Sequence, residues 1–178
     1  KHKGLTAVRY PRGAGCGAVE SSTMQEIPLG TAQLKREGQR IAILCFGTLL
    51  HNALEAAHGL DATVVNMRFV KPLDHAMLDQ VAASHDVIVT IEENVIAGGA
   101  GSGVNEYLVA QGFSKRVLNL GLPDRYMDHG SQKELLSECG LDAAGITKSI
   151  NAFYTASDDN ANHALASATI SNIGNAGK

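Results

Sequence analysis

The sequence predicts an α/β fold: a mainly parallel sheet with helices on both faces and one antiparallel edge strand. Three observations lead there. Ile41-Ala42-Ile43-Leu44-Cys45-Phe46-Gly47 is a short, continuously apolar run, the pattern of a parallel strand buried on both faces. Further apolar runs at residues 62–69, 86–91 and 116–120 alternate with amphipathic stretches. Their regular spacing implies right-handed crossovers and helices on both sides of one sheet.

The elements follow in chain order. Leu5-Thr6-Ala7-Val8 reads as the end of a strand that passes into the loop Arg9-Tyr10-Pro11-Arg12-Gly13. It has no earlier strand to pair with, so it is expected to close a preceding domain. Residues 14–30 carry Gly15, Gly17 and Pro28 with little periodicity, as a linker does. Thr31-Ala32-Gln33-Leu34 and the turn Arg36-Glu37-Gly38-Gln39 suggest an edge strand entering by a hairpin, antiparallel to its neighbour. After the 41–47 strand, Thr48 to Leu60 places Leu50, Ala53, Leu54 and Ala57 at helical spacing. The valine-rich strand 62–69 leads to Pro72 and Asp74, which open a helix through Ala76, Leu78, Val81 and Ala82, with Asp74 as N-cap. The strand 86–91 runs into Glu92-Glu93-Asn94, a glycine-rich turn and a helix from about Ser102 to Ala110. A strand at 116–120 and two short helices, 132–138 and 143–154, complete the domain. The expected organisation is thus 1–13, last strand of an upstream domain; 14–30, linker; 31–154, the α/β domain; and 155–178, an Asn/Ala/Ser-rich tail expected to be disordered.

Composition narrows the function classes. The 178 residues are 44% hydrophobic and 19% charged, ordinary for a globular chain. A net charge of -3 gives no general attraction to nucleic acid or an anionic membrane, and 4% aromatic residues without tryptophan make a poor base-stacking platform. No apolar run is long enough to span a bilayer, and the expected location is the cytoplasm. Cys16, Cys45 and Cys139 are far apart, odd in number and form no CxxC pair. They read as reduced thiols, Cys45 in the core.

Few residues carry a chemical signal. Arg9 and Arg12 flank a rigid proline at a strand end, where two planar guanidiniums suit an anion such as phosphate. Gly98-Gly99-Ala100-Gly101-Ser102-Gly103 could seat a phosphate on free amides, but it fits neither GxGxxG nor a P-loop nor a nucleophile elbow. Close helix-on-strand packing is the favoured reading, with Gly99, Gly101 or Gly103 at a tight approach or a positive φ. Glu92 and Glu93 are adjacent on a strand and point to opposite faces, so they form no converging dyad. One is expected buried, capping the glycine turn, and the other exposed. Arg68 and Lys71, at another strand end, are candidates for anion binding or for an ion pair beside a helix cap. His51, His58, His75 and His85 show no metal-binding pattern and read as solvated surface residues.

As a set, these segments resemble a known family. AVRYPRG at 7–13, IAILCFGT at 41–48, VVNMRFVKPLD at 64–74, VTIEENVIAGGAGSGVNEYL at 89–108, LNLGLPDRYMDHGSQ at 118–132 and GLDAAGI at 140–146 resemble, in order, the C-terminal part of the 1-deoxy-D-xylulose-5-phosphate synthase family. Those enzymes are transferases of the transketolase superfamily. The resemblance implies a thiamine diphosphate and Mg2+ enzyme, a homodimer, that condenses pyruvate with glyceraldehyde 3-phosphate and releases carbon dioxide. Its product feeds isoprenoid, thiamine and pyridoxal synthesis. The resemblance also implies that this chain contributes a substrate-binding arginine, Arg12, to the phosphate of glyceraldehyde 3-phosphate, with Arg9 holding the strand end. The family's catalytic, cofactor and metal residues would lie in upstream domains, so this chain alone is expected to be inactive and to bind no cofactor. Two other readings stay open: a stand-alone interaction or anion-effector-binding α/β module, and the C-terminal domain of a different transketolase relative.

Overall fold

A computed structural model describes residues 4–8, 22–23 and 25–155. Five strands form one sheet: β1 (Gln33–Arg36), β2 (Ile41–Phe46), β3 (Thr63–Asn66), β4 (Val87–Val95) and β5 (Arg116–Leu122). The helices between them are α1 (Leu50–Leu60), α2 (His75–Ser84), α3 (Ala100–Ala110) and α4 (Gln132–Glu138), and a last helix, α5, covers 143–155. Strand order is β1-β3-β2-β4-β5. β2 pairs in parallel with both β3 and β4, and β4 with β5. β1 alone is antiparallel. The expected fold class is therefore the one observed.

Alternation along β2 builds both halves of the core. Ile41, Ile43 and Cys45 face α1 and α5, packing against Ala53, Ala57, Ile146 and Ile150. Ala42, Leu44 and Phe46 face α2 and α3, packing against Leu78, Val81, Val104 and Leu108. All six β2 residues are buried, as a central strand covered on both faces requires. Burial of the Cys45 thiol pushes its pKa up to about 12, so it stays protonated and unreactive.

The expected hairpin does not form. β1 follows directly into β2 in sequence but pairs with β3, Gln33 opposite Asn66 and Leu34 opposite Val65. A strand has two hydrogen-bonding edges, and both edges of β2 are taken by its parallel partners. Of the two outer edges left, on β3 and on β5, β1 takes that of β3. The connection crosses closely over the α1–β3 loop. A Cβ on Gly38 would sit 2.3 Å from the Asp61 carbonyl oxygen, and the Arg36 guanidinium donates to the Ala62 carbonyl (2.5 Å) and to Asp61 (3.1 Å).

β3 ends earlier than the apolar run suggests, at Asn66, because Arg68 takes a left-handed φ of 59°. β4 and β5 run on to Val95 and Leu122 through an irregular register after Ile91. Asp74 caps α2 as expected: its carboxylate accepts from Met77 N (3.0 Å) and, with the other oxygen, from Ala32 N (2.7 Å). It thus ties the entry to β1 to the start of α2. Asp74→Ala should cost about 1–3 kcal/mol, more than an ordinary cap, since two amides lose their acceptor. Urea denaturation of the variant checks this, and a loss below about 0.5 kcal/mol would mean water replaces the carboxylate at both amides.

Candidate functional site

The loops at the carboxyl ends of the parallel strands surround an open cleft of about 1130 Å3. It lies where the chain leaves β2 toward α1 on one face and leaves β4 toward α3 on the other. Neighbouring connections diverge there, and open α/β sheets bind ligands in such crevices. The Gly47-Thr48 turn, the strand end Arg68–Val70, Glu92–Asn94, the glycine turn and α4 all contribute to the lining.

Glu92 is buried at the end of β4, only 4% exposed. Its two carboxylate oxygens accept from Ala100 N (2.8 Å) and Gly101 N (2.9 Å), the first amides of α3. A carboxylate at a helix N-terminus meets unsatisfied donors and the positive end of the helix dipole. The neighbouring amides are also engaged: Gly98 N donates to Ser102 Oγ (3.1 Å) and Gly99 N to the Ile96 carbonyl (3.2 Å). The glycine turn is therefore filled from within, and the packing reading of the cluster holds. A Cβ on Gly99 would lie 2.4 Å from the Glu92 carboxylate, and one on Gly101 would lie 2.4 Å from Thr90 Oγ1 and 2.6 Å from Asn119 Nδ2. Gly98 carries the positive φ of the turn, 71°. Gly103 differs, with only an ordinary 3.6 Å contact to Leu73.

Beneath α3 a polar chain runs from Asn105 Nδ2 to Asn119 Oδ1 (2.7 Å) and from Asn119 Nδ2 to Thr90 Oγ1 (2.6 Å). No single motif marks these residues; only the register of β4 and β5, which sets Thr90 opposite Asn119, reveals the set. Glu93, expected to be exposed, is less so than that. It is half-buried at the cleft, accepting from Thr48 Oγ1 (2.5 Å) and Gln132 Nε2 (3.4 Å).

Arg68 also lines the cleft. Its amide donates to Asn66 Oδ1 (3.2 Å) and its guanidinium to Gln33 Oε1 (2.8 Å). Among the described residues neither Arg68 nor Lys71 forms an ion pair, so the expected ion-pair role is replaced by a neutral amide contact. Arg9 and Arg12 lie outside the described residues, as do Cys16 and the tail beyond Thr155. Leu5–Val8 is exposed and carries no strand.

The histidines divide. His51, His58 and His75 are exposed, and His75 stacks on Tyr107 with ring centroids 4.1 Å apart. His85 corrects the surface reading: it is 8% exposed. Its Nε2 lies 2.8 Å from Thr63 Oγ1, and its Nδ1 lies 3.1 Å from the Val81 carbonyl. The end of α2 turns it inward onto β3, where a threonine offers a partner; a buried imidazole is satisfied there rather than solvated. Among the described residues no three His, Cys, Asp or Glu side chains converge as metal ligands, and the α3 amides a diphosphate would need are taken by Glu92. These residues do not fit a thiamine diphosphate and magnesium cradle. No helix among the described residues is long and apolar enough to cross a membrane.

Residues 30–146 match the family model of the transketolase C-terminal domain. The chain is 56% identical over 151 residues to a 1-deoxy-D-xylulose-5-phosphate synthase of Vibrio campbellii, covering 85% of this chain and 24% of that protein. Over 152 residues it is 57% identical to the enzyme of that name from Yersinia pseudotuberculosis, again covering 85% and 24%. The chain thus spans about a quarter of the length of these curated relatives. Among solved structures it resembles a split-gene transketolase described as an inactive β4 tetramer. The TM-score is 0.67 and identity 30%, over 78% of this chain and 45% of that one.

Proposed function

This chain belongs to the transketolase C-terminal domain family, and from that premise we propose that it is the C-terminal portion of a 1-deoxy-D-xylulose-5-phosphate synthase. The observation that carries the proposal is the 56% identity over 151 residues. The complete enzyme would be a homodimeric, cytoplasmic bacterial transferase. It would join the two carbons left after decarboxylation of pyruvate to glyceraldehyde 3-phosphate, with release of carbon dioxide. Thiamine diphosphate with Mg2+, held by upstream domains, would supply the carbanion chemistry.

In this reading Arg12 grips the phosphate of glyceraldehyde 3-phosphate through its planar fork, and Arg9 holds the end of the strand that residues 5–8 would complete in the upstream domain of the whole enzyme. The domain of residues 31–154 packs against the upstream domains and helps form the dimer. It contributes structure rather than catalytic groups, and this agrees with the internal satisfaction of Glu92, Glu93 and the glycine turn. By itself the chain should show no saturable heat with thiamine diphosphate and Mg2+ in calorimetry; a micromolar dissociation constant would contradict this.

The test is a chimera in which this chain replaces the matching C-terminal quarter of the Vibrio campbellii relative. It should convert pyruvate and glyceraldehyde 3-phosphate to the five-carbon product. Arg12→Ala in that chimera should raise KM for glyceraldehyde 3-phosphate and lower kcat/KM at least about tenfold, since a charge-assisted phosphate contact contributes roughly 1.5–3 kcal/mol. Binding of pyruvate, which has no phosphate, should barely change. Arg12→Lys should restore part of the loss, keeping charge without the fork. A stable chimera without synthase activity would reject the assignment, and unchanged kinetics of Arg12→Ala would remove that arginine from the site.

A further inference from the structure

We propose that the cleft at the carboxyl ends of β2, β3 and β4 binds a phosphate monoester of a sugar or nucleoside, with Arg68 as its anion-binding residue and Glu93 as the acceptor for its hydroxyls.

Arg68 is held in an unusual way. It is not glycine, yet its φ is 59°, a conformation that costs an L-residue energy and is concentrated at functional sites. Its amide and its guanidinium are each fixed by a neutral side-chain oxygen, those of Asn66 and Gln33. The cation is thereby oriented at the cleft without being neutralised, since among the described residues it meets no carboxylate within ion-pair distance. A guanidinium so placed offers its remaining donors to an oxyanion.

The two acids of the cleft, like Arg68, are held by neutral partners and keep their charge, so the phosphate belongs at Arg68 and the hydroxyls at Glu93. Glu92 is matched by two amides of α3. Glu93 is matched by Thr48 and Gln132 and keeps lone pairs for a ligand hydroxyl. Arg68 stands just beyond the end of β3 and Glu93 near the end of β4, with β2 between them. Two strand spacings separate them by about 10 Å, a span that a phosphate and a sugar ring bridge with both side chains reaching inward. Leu122, Met127, Leu135 and Leu136 form an apolar wall to the same cleft, suited to a carbon skeleton or a flat base. At about 1130 Å3 the cleft is far larger than a phosphate ion and comparable with small-molecule sites. Phosphate, hydroxyls and an apolar part together describe a sugar phosphate or a nucleotide.

The test is an NMR titration of the 178-residue chain with ribose 5-phosphate, adenosine 5′-monophosphate, inorganic phosphate and adenosine. At least one ester should bind saturably, with a dissociation constant of about 1 mM or below, and should shift the amides of Arg68, Gly47 and Asn94. Which ester binds more tightly tells a sugar phosphate from a nucleotide. Adenosine should bind at least about tenfold more weakly than its monophosphate. Arg68→Ala should weaken ester binding at least about tenfold, and Gln33→Ala, which frees the guanidinium, by about threefold. Arg68→Gly separates function from folding: it removes the Cβ strain, so it should melt no lower than the parent while losing the same binding. Glu93→Gln should weaken ester binding without weakening that of inorganic phosphate. The proposal is overturned if neither ester binds saturably by about 10 mM, if the Arg68 variants bind as the parent does, or if inorganic phosphate binds as tightly as the esters. The last result would mean a simple anion site.

Discussion

Gly101→Val should destabilise the protein by about 3 kcal/mol or more and can prevent folding outright. Gly101 is buried in the first turn of α3. A Cβ there would meet Thr90 Oγ1 at 2.4 Å, Asn119 Nδ2 at 2.6 Å and Glu92 Oε1 at 3.3 Å. None of these atoms can simply move aside. Thr90 is β-branched and fixed on the central part of β4, Asn119 is bonded on both sides in the polar chain, and Glu92 is pinned by two amides. Relief would require lifting α3 from the sheet, which breaks the chain of hydrogen bonds and opens the packing of Val104 and Leu108 at once. Gly103 is the internal control. It lies in the same helix with only an ordinary contact to Leu73, so Gly103→Ala should be neutral or stabilising by up to about 1 kcal/mol, as alanine favours helix. Thermal and urea unfolding of the two variants should separate them clearly. Equal stability of Gly101→Val and the parent would show that α3 does not approach β4 as closely as described.

Glu92→Ala should lower stability by about 2–4 kcal/mol. It strips two buried amides of their acceptor and leaves a cavity at the sheet–helix junction. Glu92→Gln should cost less, about 1–3 kcal/mol, because one oxygen still accepts while the NH2 group is turned against a donor. Glu93→Gln, one residue away, should change stability by less than about 1 kcal/mol, since that carboxylate is partly solvated. The measurement is the urea midpoint at constant m-value. A Glu92→Ala protein as stable as Glu93→Gln would mean that water caps α3 equally well, and the first turn of α3 would then be open to an external anion.

The difference between these two adjacent acids was readable from the chain alone. Residues one apart on a strand face opposite ways, and a carboxylate beside a glycine turn and a helix start has obvious partners. The same holds for β2, whose unbroken apolar run admits a strand covered on both faces, and for Asp74, whose spacing to the α2 apolar positions marks a cap. Each of these signals is local, carried by side-chain period or backbone chemistry within a few residues. The phosphate role of Arg12 was likewise suggested by a local motif, RYPRG, but its position lies outside the described residues.

What only the tertiary structure decided involves competition between distant segments. The turn 36–39 looks like a hairpin, yet β1 goes to β3 because both edges of β2 are already filled. His85 has a surface-like sequence context, yet the end of α2 delivers it to Thr63 of β3. Arg68 belongs to an apparently continuous strand, but Gln33 of β1 and its own left-handed φ fix it at the cleft. Thr90 and Asn119 meet only through the β4–β5 register. Period and propensity act over one or two turns of chain, whereas strand partners and buried contacts depend on which long-range pairing leaves the fewest unmet edges and polar groups. That choice is made by the whole sheet, so the cleft assembled from the ends of its strands and the loops beyond them could not be read from any one of them.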